Sequence, residues 1–306
     1  MSHTFYTADA FTDKPFHGAQ VAVFPHAEGL DRERMQLIAR EFNLTETVFL
    51  SPPAKETEPR RMHIFSPSSE VNFAGHTIIA AAYVLASIGE IPLTRKHTPL
   101  VLKLNGGPVQ VYITGDEGKP VFVQFALTTR AQIDRFVPAY GELADILSIK
   151  DFDVEKLKYT PLLVSDGDPY LIVPLRSYEA VRKARFNFNA WGQSSAPATL
   201  SQEIFLFSTD TRHPSSDFHG RLIGPQIGPK EDPPISPALP AFAHYLCAQP
   251  QVKAGTHTFT IDRGQPATRL SVLSVEMDNK QTEELTTRVG GQAVLISEGR
   301  FGLGEL

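Results

Sequence analysis

Residues 75–88, GHTIIAAAYVLASI, restrict the fold more than any other stretch of the chain. The run is apolar almost all round at helical spacing and is followed by Gly89, a residue suited to closing a helix in the left-handed conformation. A helix without a polar face must be wrapped on every side. Its strongly apolar part, residues 77–88, falls short of the roughly 20 residues that a bilayer requires, so protein has to do the wrapping. Segments 100–104, 109–113 and 121–127 are β-branched or alternate apolar with polar residues, so strands are expected to form the wall.

The plan recurs later in the chain. Residues 236–247, SPALPAFAHYLC, make a second largely apolar helix with Pro237 near its first turn. Strands are expected around it at 158–164, 170–175, 204–208, 258–262, 270–276 and 293–297, with a short helix capped by Ser177 and a long Pro/Gly-rich loop over 209–234. In the first third, strands are expected at 5–8, 21–24, 44–50 and 61–65. Asp31 reads as the cap of an amphipathic helix whose Met35, Ile38, Ala39 and Phe42 share one face and which Asn43 ends. Two wrapped helices in 306 residues predict an α+β chain of two pseudo-equivalent domains, 1–118 and 119–306, divided at the turn 116–119, with a terminal strand crossing back.

Charge and cysteine usage narrow the function. The 29 basic and 34 acidic residues give a net charge of −5, which argues against a nucleic-acid partner. The single cysteine, Cys247, excludes an internal disulfide, a four-thiolate zinc site and any mechanism needing two thiols, and its helix-periodic setting suggests a packed thiol. Residues 1–11 have no basic-then-apolar leader pattern, so a cytoplasmic location and no membrane partner are expected.

Three residues stand out as candidates for chemistry. Glu46 alternates onto the same face as Leu44, Val48 and Leu50, which puts a carboxylate on an apolar surface. Such a group suits proton transfer to or from carbon; the alternative is a Glu at the strand's solvated end or in a salt bridge. His76 sits in the first turn of the apolar helix, beside backbone N–H groups that attract anions; it reads either as a proton shuttle or as a structural histidine closing the helix end. Asp232 precedes the second apolar helix and reads either as a carboxylate that orients an imidazole or as a helix cap. His213, Asp217 and His219 lack the spacing of known zinc sites, and no nucleotide-binding or serine-hydrolase motif occurs.

Taken in order, Ala8-Asp9-Ala10-Phe11-Thr12 with Pro15-Phe16 and Gly18, then Asn43-Leu44-Thr45-Glu46-Thr47-Val48-Phe49, Phe73-Ala74-Gly75-His76, Glu231-Asp232-Pro233 and Val289-Gly290-Gly291-Gln292-Ala293-Val294 resemble the PhzF-like isomerase family of phenazine biosynthesis. The resemblance runs nearly end to end. It implies a diaminopimelate-epimerase-like fold, with two like domains that are each a strand barrel around a central helix. It also implies a homodimer and a cofactor-free, metal-free isomerase that moves a proton between carbons of a small, carboxylate-bearing molecule. By the same resemblance Glu46 matches the acid/base, His76 and Asp232 match its companions, and Gly75, Gly18, Ile235 and Ser236 belong to substrate binding.

Some positions depart from the family pattern. Ala19-Gln20 stands where Asn-Pro is usual, and Thr268-Arg269-Leu270-Ser271 where Gly-Arg-Pro-Ser is common. The acidic motif continues Pro233-Pro234-Ile235-Ser236-Pro237-Ala238 instead of Pro-Ala-Thr-Gly-Ser-Ala, so a hydroxyl and a backbone donor are replaced by Pro237. One lost charge-assisted bond weakens binding by about 1.5–3 kcal/mol. Two expectations follow: an isomerase with a changed anion cradle and a different substrate, or a non-catalytic relative that binds a ligand or partner.

Overall fold

The computed structural model describes residues 2–53, 55, 58–228, 231–265 and 267–302. The first run of elements is β1 (Ser2–Ala10), β2 (Ala19–Phe24), α1 (Arg32–Phe42), β3 (Glu46–Ser51), β4 (Arg60–Phe65), β5 (Glu70–Val71), α2 (Gly75–Ser87), β6 (His97–Leu104), β7 (Gly107–Asp116) and β8 (Lys119–Arg130). The second run is β9 (Gln132–Asp134), α3 (Tyr140–Ile146), β10 (Leu162–Ser165), β11 (Pro169–Pro174), α4 (Tyr178–Lys183), α5 (Phe188–Gln193), β12 (Glu203–Ser208), β13 (Phe218–Ile223), α6 (Leu239–Cys247) and β14 (Gly255–Gln265). The chain closes with β15 (Thr268–Asn279), β16 (Glu284–Gly291) and β17 (Ala293–Gly302). It is a mixed α/β structure, rich in strands and sparing in helices. Contacts divide it into unit 1, made of the described residues of 1–127, 265–273 and 288–306, and unit 2, made of 128–264 and 274–287.

In unit 1 the strands make a run around α2. β17 pairs antiparallel with β1, β1 with β2, β2 runs parallel to β3, and β3 pairs antiparallel with β4. β4 continues parallel to β6, which leads through antiparallel β7 to β8. α2 contacts β1, β2, β3, β7 and β17, and all its residues except Tyr83 and Ser87 are buried, as a helix with no polar face requires. Burying Ile78, Ile79, Val84 and Leu85 contributes about 1.5–3 kcal/mol each. The helix ends at Ser87, with Gly89 at φ +82° just beyond it.

The amphipathic α1 packs one face only. Asp31 caps it by accepting from the Arg34 N–H at 2.8 Å, and Asn43 ends it in the left-handed conformation. Met35, Ile38 and Ala39 pack with Phe24, Phe49 and Phe65, where the rings of Phe24 and Phe49 stack at 4.9 Å.

Unit 2 has its own core. β9, β10 and β11 pair antiparallel in succession, β11 runs parallel to β12, β12 antiparallel to β13, and β13 parallel to β14. Phe242 and Tyr245 of α6 pack on Phe207, while Leu143, Ile146, Val181 and Leu206 form a separate cluster that includes residues of α3 and α4. The expected apolar helix of 236–247 starts as a 3-10 turn, Ser236–Ala238, and becomes α-helical only from Leu239, with Pro240 in its first turn.

The expected loop over 209–234 is corrected by the structure: β13, FHGRLI, is a strand with every residue buried. Its His219 and Arg221 masked the strand pattern, because polar residues at alternate positions read as a solvated face, whereas here both find buried partners. Residues 229 and 230 of that segment lie outside the described residues. The strand expected at 44–50 begins only at Glu46, and α3, α5, β9 and β16 were not anticipated. No helix among the described residues is long and apolar enough to cross a membrane.

Candidate active site

Glu46 opens β3, three residues after the left-handed Asn43, and pairs in register with Val21 of β2. His76 is the second residue of α2. The imidazole Nε2 and the carboxylate Oε2 share a hydrogen bond of 2.5 Å, with the His76 side chain 1% and that of Glu46 13% exposed. A mostly buried carboxylate is therefore held in place by a buried ring. Glu46 is thus not at a solvated strand end, and His76 reaches from the first turn of α2 to its carboxylate.

The segment leading into α2 is pinned by charge. Glu70 of β5 accepts from the His63 ring at 2.7 Å and lies 3.6 Å from Arg32. Burial raises the Glu70 carboxyl, but hydrogen bonds from His63 and Asn105 together with the Arg32 charge hold it below the usual carboxylate range. The helix N-cap, Ala74, makes no side-chain cap bond.

Gly18 lies in the turn between β1 and β2. Its φ is +66°, a Cβ there would sit 2.2 Å from the Ala10 carbonyl oxygen, and its N–H donates to Leu270 at 2.9 Å, so only glycine fits this turn. Nearby Asp9, fully buried, accepts from Arg269 and from the Phe16 N–H, each at 2.8 Å. Burial pushes the Asp9 carboxyl up against the pull of Arg269.

Asp232, Ile235 and Ser236 belong to unit 2. Asp232 is not a helix cap: its Oδ2 lies 2.6 Å from Arg182 Nη1, and its Oδ1 lies 3.7 Å from Arg263 Nε. Ile235 and Ser236 are both buried at the 3-10 turn. Neither arginine was singled out from the sequence. They lie far from Asp232 along the chain, on α4 and β14, and no spacing pattern links them.

The three weak metal-ligand candidates have other partners. His219 bonds to Asp262 in a fully buried pair beneath the Tyr178 ring, 4.4 Å away; Asp217 accepts from the Thr260 N–H; and His213 contacts Ser215. No group of three or more metal-ligating side chains occurs among the described residues. Cys247 lies 3.7 Å from the Met277 sulfur, and burial pushes its thiol up to about 11, as suits a packed cysteine.

A family model described as phenazine biosynthesis-like protein, PhzC-PhzF, matches residues 8–299. A protein of Mesorhizobium japonicum named as an isomerase is 29% identical over 98% of this chain and 99% of its own. The trans-2,3-dihydro-3-hydroxyanthranilate isomerase of Pseudomonas aeruginosa is 28% identical, over 97% of this chain and 99% of its own length. The crystal structure of a Bacillus anthracis phenazine biosynthesis protein of the PhzF family superposes with a TM-score of 0.84 at 21% identity, covering 99% of this chain and 100% of that one. With a match spanning nearly the whole sequence, the chain belongs to the phenazine biosynthesis-like PhzC-PhzF family.

Proposed function

We propose that the protein is an isomerase that moves a proton between two carbons of a small, carboxylate-bearing substrate. The observation that carries this reading is the 2.5 Å bond between Glu46 and His76, a carboxylate held in a dry setting by a group that can itself exchange a proton. Glu46 takes a proton from one carbon, the electron pair delocalises into adjacent unsaturation, and the same carboxyl returns the proton to a second carbon. His76 orients the carboxylate throughout, and the N-terminal end of α2 favours the substrate's negative charge.

Asp232 is the second acidic residue of this reading, with Gly18, Gly75, Ile235 and Ser236 in substrate binding. We also infer two domains of like plan, each a strand barrel around its apolar helix, as in diaminopimelate-epimerase-like proteins, with the boundary in the turn between β7 and β8. The Pseudomonas relative's substrate, trans-2,3-dihydro-3-hydroxyanthranilate, is the first compound to test. In deuterium oxide the wild-type chain should introduce deuterium at a ring carbon, followed by NMR, and Glu46→Gln should abolish this while folding normally. Exchange that persists in the folded variant would remove Glu46 from the role. No exchange by the wild-type chain, on this compound or on other unsaturated amino and hydroxy acids, would favour a ligand-binding relative instead.

A further inference from the structure

The start of α2, which carries His76, has little of its own to orient it. The N-cap, Ala74, makes no side-chain cap bond, and the first turn holds no acidic residue. A helix apolar on every face gains nearly as much by burying one rotation about its axis as another. Burial is non-directional, so the rotation that aims His76 at Glu46 is left to side-chain shape and to directed bonds near the start. The strand leading into the helix, β5, supplies only two ladder pairs, Glu70 with Phe65 and Val71 with Ile64.

Directed bonds converge on Glu70, which stands close before His76 in the chain. Arg61 and His63 alternate along β4 with Phe65, and Phe65 is opposite Glu70, so these side chains share one face of the sheet. Arg61 Nε donates to His63 Nε2 at 3.3 Å, and its Nη2 donates to Asn105 Oδ1 at 2.6 Å. A guanidinium only donates, so His63 Nε2 accepts and the ring proton sits on Nδ1, which donates to Glu70 Oε1 at 2.7 Å. The other Glu70 oxygen lies 3.6 Å from Arg32 in the first turn of α1. The His63 and Glu70 side chains are 15% and 18% exposed, so these bonds form in a mostly desolvated setting, where they are stronger than in water. α1 holds the same hairpin a second time, through Gln36 Nε2 to the Ser66 carbonyl at 2.9 Å. On the adjoining strand Thr47 pairs with Phe65, so its neighbour Glu46 points to the opposite face from Glu70.

We propose that Glu70, aimed by the donor relay from Arg61 through His63 and held by Arg32, is a positioning residue that fixes the rotation of the α2 start and, through it, the bond between His76 and Glu46. This rests on the isomerase reading for what that bond accomplishes, but not for the coupling between the two carboxylates. Glu70 acts through the short connection from β5 to His76 and not on the substrate.

Nitrogen-15 NMR of the histidine side chains in the full chain reads both ends of the coupling. His63 should show the Nδ1–H tautomer, and the His76 Nε2 signal reports the bond to Glu46. Glu70→Ala should move the His76 signal and lower kcat for deuterium exchange by about tenfold, while KM changes by less than about twofold. His63→Phe, which removes the donor, should act in the same direction, and His63→Asn, whose amide can donate from the place of Nδ1, should recover most of the loss. A merely structural role predicts a lower urea midpoint with the His76 signal and kcat unchanged, and that result in folded Glu70→Ala would overturn the proposal. A rise in KM at constant kcat would also overturn it, as would the Nε2–H tautomer at His63. Should Glu70→Ala fail to fold, the contrast between His63→Phe and His63→Asn decides in the same way. If the wild-type chain exchanges no deuterium, a His76 signal that moves in Glu70→Ala supports the proposal and sinks the isomerase reading alone.

Discussion

Glu46 and Asp232 are two carboxylates of similar exposure with opposite kinds of partner. Glu46 shares a hydrogen bond with a buried imidazole, whose ring nitrogens can donate or accept. Asp232 is flanked by guanidiniums, which keep their charge throughout the working range. Burial alone does not set what a carboxylate can do. An imidazole neighbour can donate or accept, whereas guanidinium neighbours only donate and hold the carboxylate as an acceptor.

The contrast breaks most visibly at Glu46. Glu46→Gln should lower solvent-deuterium exchange by about 10²–10⁴-fold, measured by NMR, while changing the denaturant midpoint little. Arg182→Met should do the reverse and act first on stability, because it strands Asp232 beside Arg263 alone. A loss of about 2–3 kcal/mol in urea unfolding is expected, below the ~3–5 of a fully buried pair because both partners keep some solvent contact. Equal stability losses at both positions would erase the distinction. His76→Ala removes the orienting bond and should slow exchange by about tenfold to a hundredfold, the worth of one hydrogen bond to a charged group.

Asp166, outside both pairs, sharpens the comparison with the smallest effect. Burial, aided by the Asp168 charge, pushes its carboxyl up from 3.8 to about 6. The folded state therefore holds this proton more tightly than the unfolded one, so Asp166 costs no stability at low pH and its penalty grows as pH rises through that interval, then stays level. Asp166→Asn should stabilise the chain at pH 7 by about 1 kcal/mol, well under the full equivalent of the shift because the half-buried side chain keeps solvent contact, and remove this contribution to the pH slope of the urea midpoint.

Much of unit 1 was legible in the sequence because its signals are local. Asp31 and Asn43 bound α1 where their capping chemistry predicts, and the apolar run of α2 is buried as its lack of a polar face demands. The strand period placed Glu46 near an apolar surface, although the strand starts at Glu46 and not at residue 44. In unit 2 the same reasoning missed β13, since His219 and Arg221 look like solvent-facing residues until Asp262 and the end of α4 are in place. From the sequence Asp232 reads either as a helix cap or as a carboxylate that orients an imidazole, because Arg182 and Arg263 are distant along the chain.

The sequence by itself determined the two apolar helices, the strand-rich surroundings and the family, because residue periodicity and short ordered motifs are properties of the chain alone. Which charges meet was decided only by tertiary structure. The Glu46–His76 bond spans 30 residues and the Arg182–Asp232 pair spans 50. Coulomb and hydrogen-bond energies depend on distance in space and on local water, and neither follows from distance along the chain.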